Sequence, residues 1–211
     1  MLRIAASIVF PVGSPPRRNG LVVVDSDGRV VSVSSGSATF DEMAGTCYYS
    51  GILVPGFVDV MCGSRVDGDW LLTRGVRVAG TTVRPDRLSW TGRRGGRVDY
   101  RVYRDMDQFH SLYSEDRVKG LLYYGRDEVP VLAGYGERDL LQVMTAVQQS
   151  HREFTLDRLI TMATLNGALA NGFAGEAGTI EPGKSPGLNI IEGADLHNMR
   201  LLQGSRLRRI A

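Results

Sequence analysis

Histidine and cysteine are scarce in this sequence, which contains three histidines and two cysteines in 211 residues. Cys47 and Cys62 are too few for a disulfide scaffold and are not spaced like zinc ligands, so we expect free thiols. His110, His151 and His197 stand far apart among polar residues, and we expect them to be surface side chains. The sequence therefore contains no obvious metal cluster built from these two residue types.

Long apolar runs are also missing. No segment approaches the roughly 20 apolar residues that span a bilayer, and the first residues lack the apolar segment of a signal peptide. The composition, 43% hydrophobic and 23% charged, is that of a globular protein. We expect a cytoplasmic protein without a membrane partner.

Lysine is nearly absent, because only Lys119 and Lys184 are lysines among the 25 cationic side chains. Several arginines gather in residues 93–104 beside aromatic residues, a combination that can bind phosphates or bases. Arginine replaces lysine along the whole chain, however, and the net charge is only +2. We therefore attribute the cluster to composition and do not expect a nucleic-acid partner, although nucleic-acid binding through 93–104 stays an alternative.

The N-terminal part has the pattern of short strands joined by tight turns. Segments 4–10, 20–24 and 30–34 are rich in Val and Ile, and residues 25–28, Asp-Ser-Asp-Gly, are typical of a hairpin turn. The mostly apolar run 51–60 predicts one strand buried on both faces of a parallel sheet or barrel.

Patterns are weak from 65 to 129 and become clear again afterwards. A short helix over 71–78 and a strand over 129–133 are expected, followed by helices over 137–150 and 155–170, the second capped by Thr155. The chain then returns to strands over 178–180, 188–191 and 201–210. A Glu-Pro-Gly-Lys sequence at 181–184 predicts a type II turn.

Three segments together resemble the amidohydrolase superfamily of metal-dependent C–N hydrolases, in particular its deaminase-like and chlorohydrolase-like branch. Segment 51–60, with Pro55 and Gly56, is similar to the first barrel strand of that family. Segment 163–168, Ala-Thr-Leu-Asn-Gly-Ala, is similar to the helix after the last barrel strand. Segment 178–184, which ends in Gly183-Lys184, is similar to the point where the family's chain re-enters its β-domain. The motif positions are Pro55, Gly56, Thr164, Asn166, Gly167, Gly183 and Lys184.

The resemblance implies a mixed α/β fold. In it, residues 1–54 and 176–211 form a composite β-sandwich, and residues 55–175 form a truncated remnant of a TIM-type (β/α)8 barrel. A complete barrel takes about 250 residues, so the remnant keeps only part of its strands. Unpaired sheet edges favour association. We therefore expect a homo-oligomer or a protein partner that covers them.

The metal site of the family is degenerate here. The resemblance places a His-x-His pair at the end of the first barrel strand, where this chain has Met61 and Gly63. A thioether is a poor zinc ligand and glycine offers no side-chain ligand. An intact family member would hold a divalent metal such as zinc, whereas we expect no metal cofactor in this chain.

Three side chains remain as candidates for catalysis: Glu137, Asp59 and Arg65. Glu137 follows the expected last strand, where the family has an aspartate, but it is also typical of a carboxylate at a helix N-terminus. Asp59 with Asp67 and Asp69 would suit a hard cation, whereas the sequence at 67–69 also favours a turn. Arg65 occupies the position of an arginine that contacts the anionic substrate in the related dihydroorotases.

The sequence thus predicts a hydrolase by descent that acts on C–N bonds of the cyclic amide, amidine or deaminase type, inactive as an isolated chain. The alternative is a non-catalytic scaffold or interaction subunit that pairs with itself or with an active homologue.

Overall fold

The structure is a computed structural model that describes residues 1–35, 45–62, 67–82, 89–91, 96–104, 107–110, 120–134 and 138–211. These residues form a mixed α/β fold with three sheets. The strands are β1 Leu2–Val9, β2 Arg17–Val24, β3 Val30–Ser35, β4 Thr46–Pro55, β5 Phe57–Asp59, β6 Val76–Thr81, β7 Ser89–Thr91, β8 Arg97–Val102, β9 Phe109–His110, β10 Leu121–Tyr124, β11 Val129–Leu132, β12 Leu188–Glu192 and β13 Arg206–Arg209. The helices are α1 Gly68–Thr73, α2 Leu140–Ser150, α3 Leu156–Thr161, a π-helical segment Met162–Asn166 and α4 Gly167–Asn171.

Strands from both ends of the chain share the largest sheet, whose order is β13-β12-β4-β1-β2-β3. One face of this sheet packs on α2 and α3 in the main apolar core. The sheet residues Ile8, Phe10, Ile52, Val54 and Ile191 contribute to this core together with Leu140, Met144, Val147, Leu159 and Ile160 of the helices. Leu121, Tyr123 and Leu132 of the three-stranded sheet belong to the same core, and the composite β-sandwich of residues 1–54 and 176–211 stays a prediction. The boundaries at 54–55 and 175–176 stay a prediction.

The predicted turn at 25–28 is confirmed. Asp25 Oδ1 accepts the backbone N–H groups of Asp27 and Arg29, both over 2.9 Å. Gly28 adopts a φ of +76°, which a residue without Cβ reaches without strain. This turn aligns β2 and β3 as an antiparallel hairpin.

The apolar run 51–60 is not one strand, as the sequence predicts, but two strands in different sheets. β4 ends at Pro55 in the six-stranded sheet, and β5 starts at Phe57 in a four-stranded sheet of order β5-β6-β8-β7. Gly56 lies between them, and its N–H donates to the carbonyl of Gly187 over 3.0 Å. A Cβ at Gly56 would lie 2.6 Å from the carbonyl oxygen of Pro186. Glycine therefore permits the close contact at which the chain changes sheets.

The helix predicted over 71–78 is wrong in its second half. α1 ends at Thr73, Gly75 adopts a φ of +70°, and the chain continues as β6, which is fully buried. The Val-rich sequence of β6 suits a strand covered on both faces. Val78 packs with Ala168 and Ala177, and Val76 and Ala79 pack with Leu71 of α1, while β5 and β8 pair with its two edges.

The strand after 129 and the two helices that follow are confirmed. β11 pairs with β10 in a three-stranded antiparallel sheet. α2 starts with a capping box in which Asp139 and Gln142 bind each other's backbone N–H groups. Thr155 caps α3 as predicted. Within the described ranges, no helix is both long and apolar enough to cross a lipid bilayer.

Candidate functional site

The carboxyl ends of the parallel strands β5, β6 and β8 lie at one edge of the four-stranded sheet, here named the carboxyl edge. β11 reaches this edge from the neighbouring sheet, because the Val60 N–H donates to the Leu132 carbonyl over 3.3 Å. Ligands of α/β proteins commonly bind beyond the carboxyl ends of the strands. The carboxyl edge is therefore the candidate site.

Asp59 ends β5 and is almost fully buried, at 4% exposure. Its Oδ1 accepts the N–H groups of Met61, over 3.0 Å, and of Gly134, over 3.1 Å. A Cβ at Gly134 would lie 2.7 Å from Asp59 Oδ2, so the glycine allows the two chain segments to approach. The structure thus gives Asp59 a structural role, since it fastens the end of β5 to the chain after β11.

Met61 lies beside an apolar cluster at the carboxyl edge. The cluster contains Val60 and Phe109, and the half-buried Met61, Tyr103 and Tyr124 pack against it. The ring centroid of Phe109 is 5.5 Å from that of Tyr103, edge to face, and 5.4 Å from that of Tyr124. Aromatic pairs at such distances stabilise by their geometry in addition to burial. The environment of the Met61 thioether is thus apolar.

Tyr103 connects this apolar cluster to the end of α4. Its hydroxyl lies 2.7 Å from Oδ1 of the buried Asn171 and 3.0 Å from the Ala170 carbonyl oxygen. Burial raises the pKa of Tyr103 well above its usual range, and this effect outweighs the lowering by the Arg101 charge. The phenol is therefore neutral near pH 7 and acts as a hydrogen-bond donor, not as a general base.

Asp67 and Asp69 lie at the start of α1. They do not form the isolated turn that the sequence favours. Asp67 Oδ1 accepts the N–H of Asp69, over 2.9 Å, and that of Trp70, over 3.3 Å. The Asp67 carboxylate is therefore an N-cap, and Asp69 is in the first turn of the helix. The predicted site residues Glu137, Arg65 and Gly63 lie outside the described residues.

The histidines are not brought together where their side chains are described. His151 Nδ1 lies 3.2 Å from Glu153 Oε1 in the connection between α2 and α3, and His197 is exposed in a loop near the C-terminus. The backbone of His110 pairs with Tyr123 in β9. In the part of the chain that the structure describes, no three His, Cys, Asp or Glu side chains are grouped as metal ligands.

The motif residues of segment 163–168 hold the last helix against the strands of the carboxyl edge. Thr164 is buried, and its hydroxyl donates to the Ile160 carbonyl over 2.6 Å. Asn166 Nδ2 donates to the Pro130 carbonyl of β11 over 2.8 Å. A Cβ at Gly167 would lie 2.9 Å from the Cβ of Val58, so glycine allows the close packing of the helix on β5.

The motif residues of segment 178–184 attach the chain to the six-stranded sheet. Gly183 has a φ of +90° and the Lys184 N–H donates to the Glu181 carbonyl over 3.1 Å, which confirms the predicted type II turn. The Gly183 N–H donates to the Val30 carbonyl over 2.8 Å. Lys184 Nζ donates to the Ala174 carbonyl and to the Thr179 hydroxyl, both over 2.8 Å, and lies 3.1 Å from Glu181 Oε2. Both motifs therefore have structural roles.

The comparisons with known proteins agree with this arrangement. A sequence model described as "Amidohydrolase family" matches residues 111–207. Over this C-terminal stretch, a little under half of the chain, the sequence is similar to that family. No curated protein matches the chain.

Solved structures of three deaminases have a similar fold. An adenosine deaminase from Xanthomonas campestris with bound zinc has a TM-score of 0.55 and 12% identity over 95% of this chain and 86% of that chain. A guanine deaminase from Bradyrhizobium japonicum has a TM-score of 0.54 and 12% identity over 93% and 89%. The guanine deaminase of E. coli has a TM-score of 0.51 and 13% identity over 90% and 88%.

Among the described residues of the carboxyl edge, the side chains do not fit a divalent metal of the kind that the family resemblance implies. The family's first imidazole position is Met61, whose thioether is a poor zinc ligand and packs on the apolar cluster. The second is Gly63, which has no side chain. Asp59 Oδ1 already accepts two backbone N–H groups. The described side chains at this edge thus pack as in a protein interior and do not form a group of metal ligands.

Two features of the carboxyl edge were not predicted from the sequence. One is the aromatic packing of Tyr103, Phe109 and Tyr124, which lies in the stretch where the patterns are weak. The other is the contact of Asp59 with Gly134. A glycine directly after a predicted strand, where the family has an aspartate, is the signal that indicates such a close approach.

Proposed function

We propose that this chain is a C–N hydrolase by descent, of the cyclic amide, amidine or deaminase type, that does not catalyse metal-dependent hydrolysis as an isolated chain. The solved relatives named above as adenosine and guanine deaminases support the ancestral reaction class. We expect that no metal cofactor is bound at the carboxyl edge.

The observation that carries this proposal is the side chain at position 61. A bound metal lowers the pKa of its water from about 15.7 to about 7, and so supplies hydroxide at neutral pH. Imidazole, carboxylate or thiolate ligands hold such a metal, whereas Met61 offers only a thioether within an apolar cluster. The Tyr103 phenol, whose pKa is raised by burial, does not replace the missing base.

We expect the purified chain, grown with added zinc, iron or manganese, to contain far less than one equivalent of metal. We also expect no metal-dependent release of ammonia from guanine or adenosine and no opening of cyclic amides. Elemental analysis by mass spectrometry and ammonia assays measure the two quantities. The physical reason is that the carboxylate of Asp59 and the thioether of Met61 are together too weak a set of ligands to hold zinc.

A double variant, Met61→His with Gly63→His, is the matched positive control. It supplies the two imidazoles of the family's His-x-His pair, which point the same way when they occupy alternate positions of a strand, and the variant should retain more zinc than the wild type after dialysis. Stoichiometric metal in the wild type, lost on Asp59→Ala or Glu137→Ala, would contradict the proposal.

The second candidate function is a non-catalytic scaffold that pairs with itself or with an active homologue. The edges of the sheets favour it. Among the described residues, β7 pairs only with β8 and β3 pairs only with β2. β3 also exposes Val31 at 43%. Edge strands with free backbone groups and apolar side chains are sites at which a second chain can add.

The mass of the protein in solution tests this second function. If the edges are covered by a second copy, light scattering should give at least twice the 23.1 kDa of one chain over a range of concentrations. Replacing Val31 by lysine should lower that mass, because a charge on an edge strand opposes pairing. A stable wild-type monomer that does not aggregate would contradict self-association.

A further inference from the structure

A groove with a volume of about 620 Å³ lies at the end of α2 that is remote from the carboxyl edge. Its walls come from three segments: the loop 10–16 after β1, the connection 152–157 between α2 and α3, and residues 198–200. Pockets for small molecules commonly measure about 300–1,000 Å³. Gln148, near the C-terminal end of the 11-residue α2, also belongs to the lining, whereas the N-terminal end of α2 follows the chain that leaves β11.

Hydrogen bonds fix the walls of the groove to the core. The buried Gln148 donates from Nε2 to the Leu201 carbonyl over 3.0 Å and accepts the Leu201 N–H over 3.1 Å. On the other side, the Ile180 N–H donates to the Pro11 carbonyl over 2.8 Å. Walls that are held in this way form a cavity before any ligand arrives, and ligand sites are usually largely pre-formed.

Two wall residues adopt left-handed backbone conformations that side chains disfavour. Val12 has a φ of +72° and Met199 has a φ of +52°. A β-branched residue in this region is a conformational outlier. Such strain persists only where the surroundings impose it, and it concentrates at functional sites.

The groove combines an apolar floor with a cationic rim. Phe10, Phe154 and Leu156 are buried residues that line its base. The exposed Arg152 and Arg200 stand on different wall segments, and neither guanidinium has an ion pair with any residue that the structure describes. Asp157 is the one acidic residue of the lining. The rim therefore has a net positive charge.

We propose that this groove binds a small organic anion. Its aromatic or branched apolar body lies on Phe10, Phe154 and Leu156, and its carboxylate or phosphate contacts Arg152 and Arg200. Guanidinium groups match both acidic groups by two parallel hydrogen bonds. This function goes beyond the proposed loss of hydrolysis and does not depend on it, because the carboxyl edge contributes no residue to the groove.

Fluorescence titration of the full chain with 2-naphthoate and with 2-naphthyl phosphate tests the proposal. We expect saturable binding of at least one of them, which also identifies the acidic group. Loss of a charge-assisted contact at an exposed rim should weaken binding about tenfold in each of Arg152→Ala and Arg200→Ala. The uncharged 2-naphthol should bind more than about tenfold more weakly than the anion, because it lacks the charge-assisted contacts with both arginines.

Arg126→Ala is the matched control, since Arg126 is an exposed arginine between β10 and β11 and does not line the groove. Its affinity for the probe should equal that of the wild type. Ser14→Trp, which fills the groove from the exposed loop, should abolish binding without lowering the melting temperature. No saturable binding of either anion, equal binding by 2-naphthol, or equal weakening in Arg126→Ala would overturn the proposal.

Discussion

Asp99→Ala should lower the free energy of unfolding by about 3–5 kcal/mol, because it leaves a buried guanidinium without its counter-charge. Arg77 is only 2% exposed, and its Nη1 lies 2.5 Å from Asp99 Oδ2. The Ser185 carbonyl accepts from Arg77 Nε over 2.9 Å but does not neutralise the charge. Urea denaturation followed by tryptophan fluorescence measures the loss.

A second arginine, the half-buried Arg209, increases the expected effect. Burial, and then the charge of Arg77, lowers the pKa of Arg209 to about 10. Arg209 therefore already carries an electrostatic cost in the folded state. In Asp99→Ala, the carboxylate that offsets the repulsion between the guanidinium groups of Arg77 and Arg209 is lost.

Arg97→Ala is the control that separates burial from ion pairing. Arg97 Nε lies 2.8 Å from Asp99 Oδ1, but its side chain is 51% exposed. Exposed pairs contribute about 0–1 kcal/mol, so this variant should remain close to the wild type. A double change, Arg77→Met with Asp99→Leu, should recover most of the stability, because apolar replacement of a buried pair is often neutral. An equal loss in Asp99→Ala and Arg97→Ala would contradict the burial argument.

The parts of the fold that could be predicted are those with local signals. The turn after Asp25, the Thr155 cap and the type II turn at Gly183 each depend on side chains within a few residues. Amphipathic spacing likewise indicates α2 without knowledge of its partners. Such features survive because the tertiary contacts agree with them.

The parts of the fold and of the site that could not be predicted depend on contacts between residues distant in the sequence. Nothing in the apolar run 51–60 distinguishes one strand from two, since the change of sheets at Gly56 depends on its contact with Pro186 and Arg77. That Met61 and Gly63 are degenerate metal positions follows only from the family resemblance and stays a prediction. What fills the carboxyl edge instead is visible only in the structure, because Phe109 and Tyr124 are joined by strand pairing between β9 and β10.

The largest effect of a small side chain is expected at Gly80 of β6, where a parallel neighbour approaches closely. Its Cβ in Gly80→Ala would lie 2.2 Å from the Val60 carbonyl oxygen and 3.0 Å from Asn171 Oδ1. The Val60 oxygen is backbone in a segment fixed by the bonds of Val60 N–H to Leu132 and of Cys62 N–H to Gly80. Relief therefore requires β5 and β6 to separate, and we expect a loss of about 3 kcal/mol in the free energy of unfolding.

Gly175→Ala isolates this steric cause from the change of residue type. A Cβ at Gly175 meets no atom within 4 Å, and its φ is not in the left-handed region. Alanine lowers the backbone conformational entropy of the unfolded chain equally in both variants, and this change favours the folded state. Gly175→Ala should therefore be neutral or more stable by up to about 1 kcal/mol. Urea denaturation of the two proteins gives the comparison. Similar midpoints would mean that the carboxyl edge can yield at Val60. In that case the position of Met61 beside the apolar cluster would not be fixed by the packing of β5 on β6.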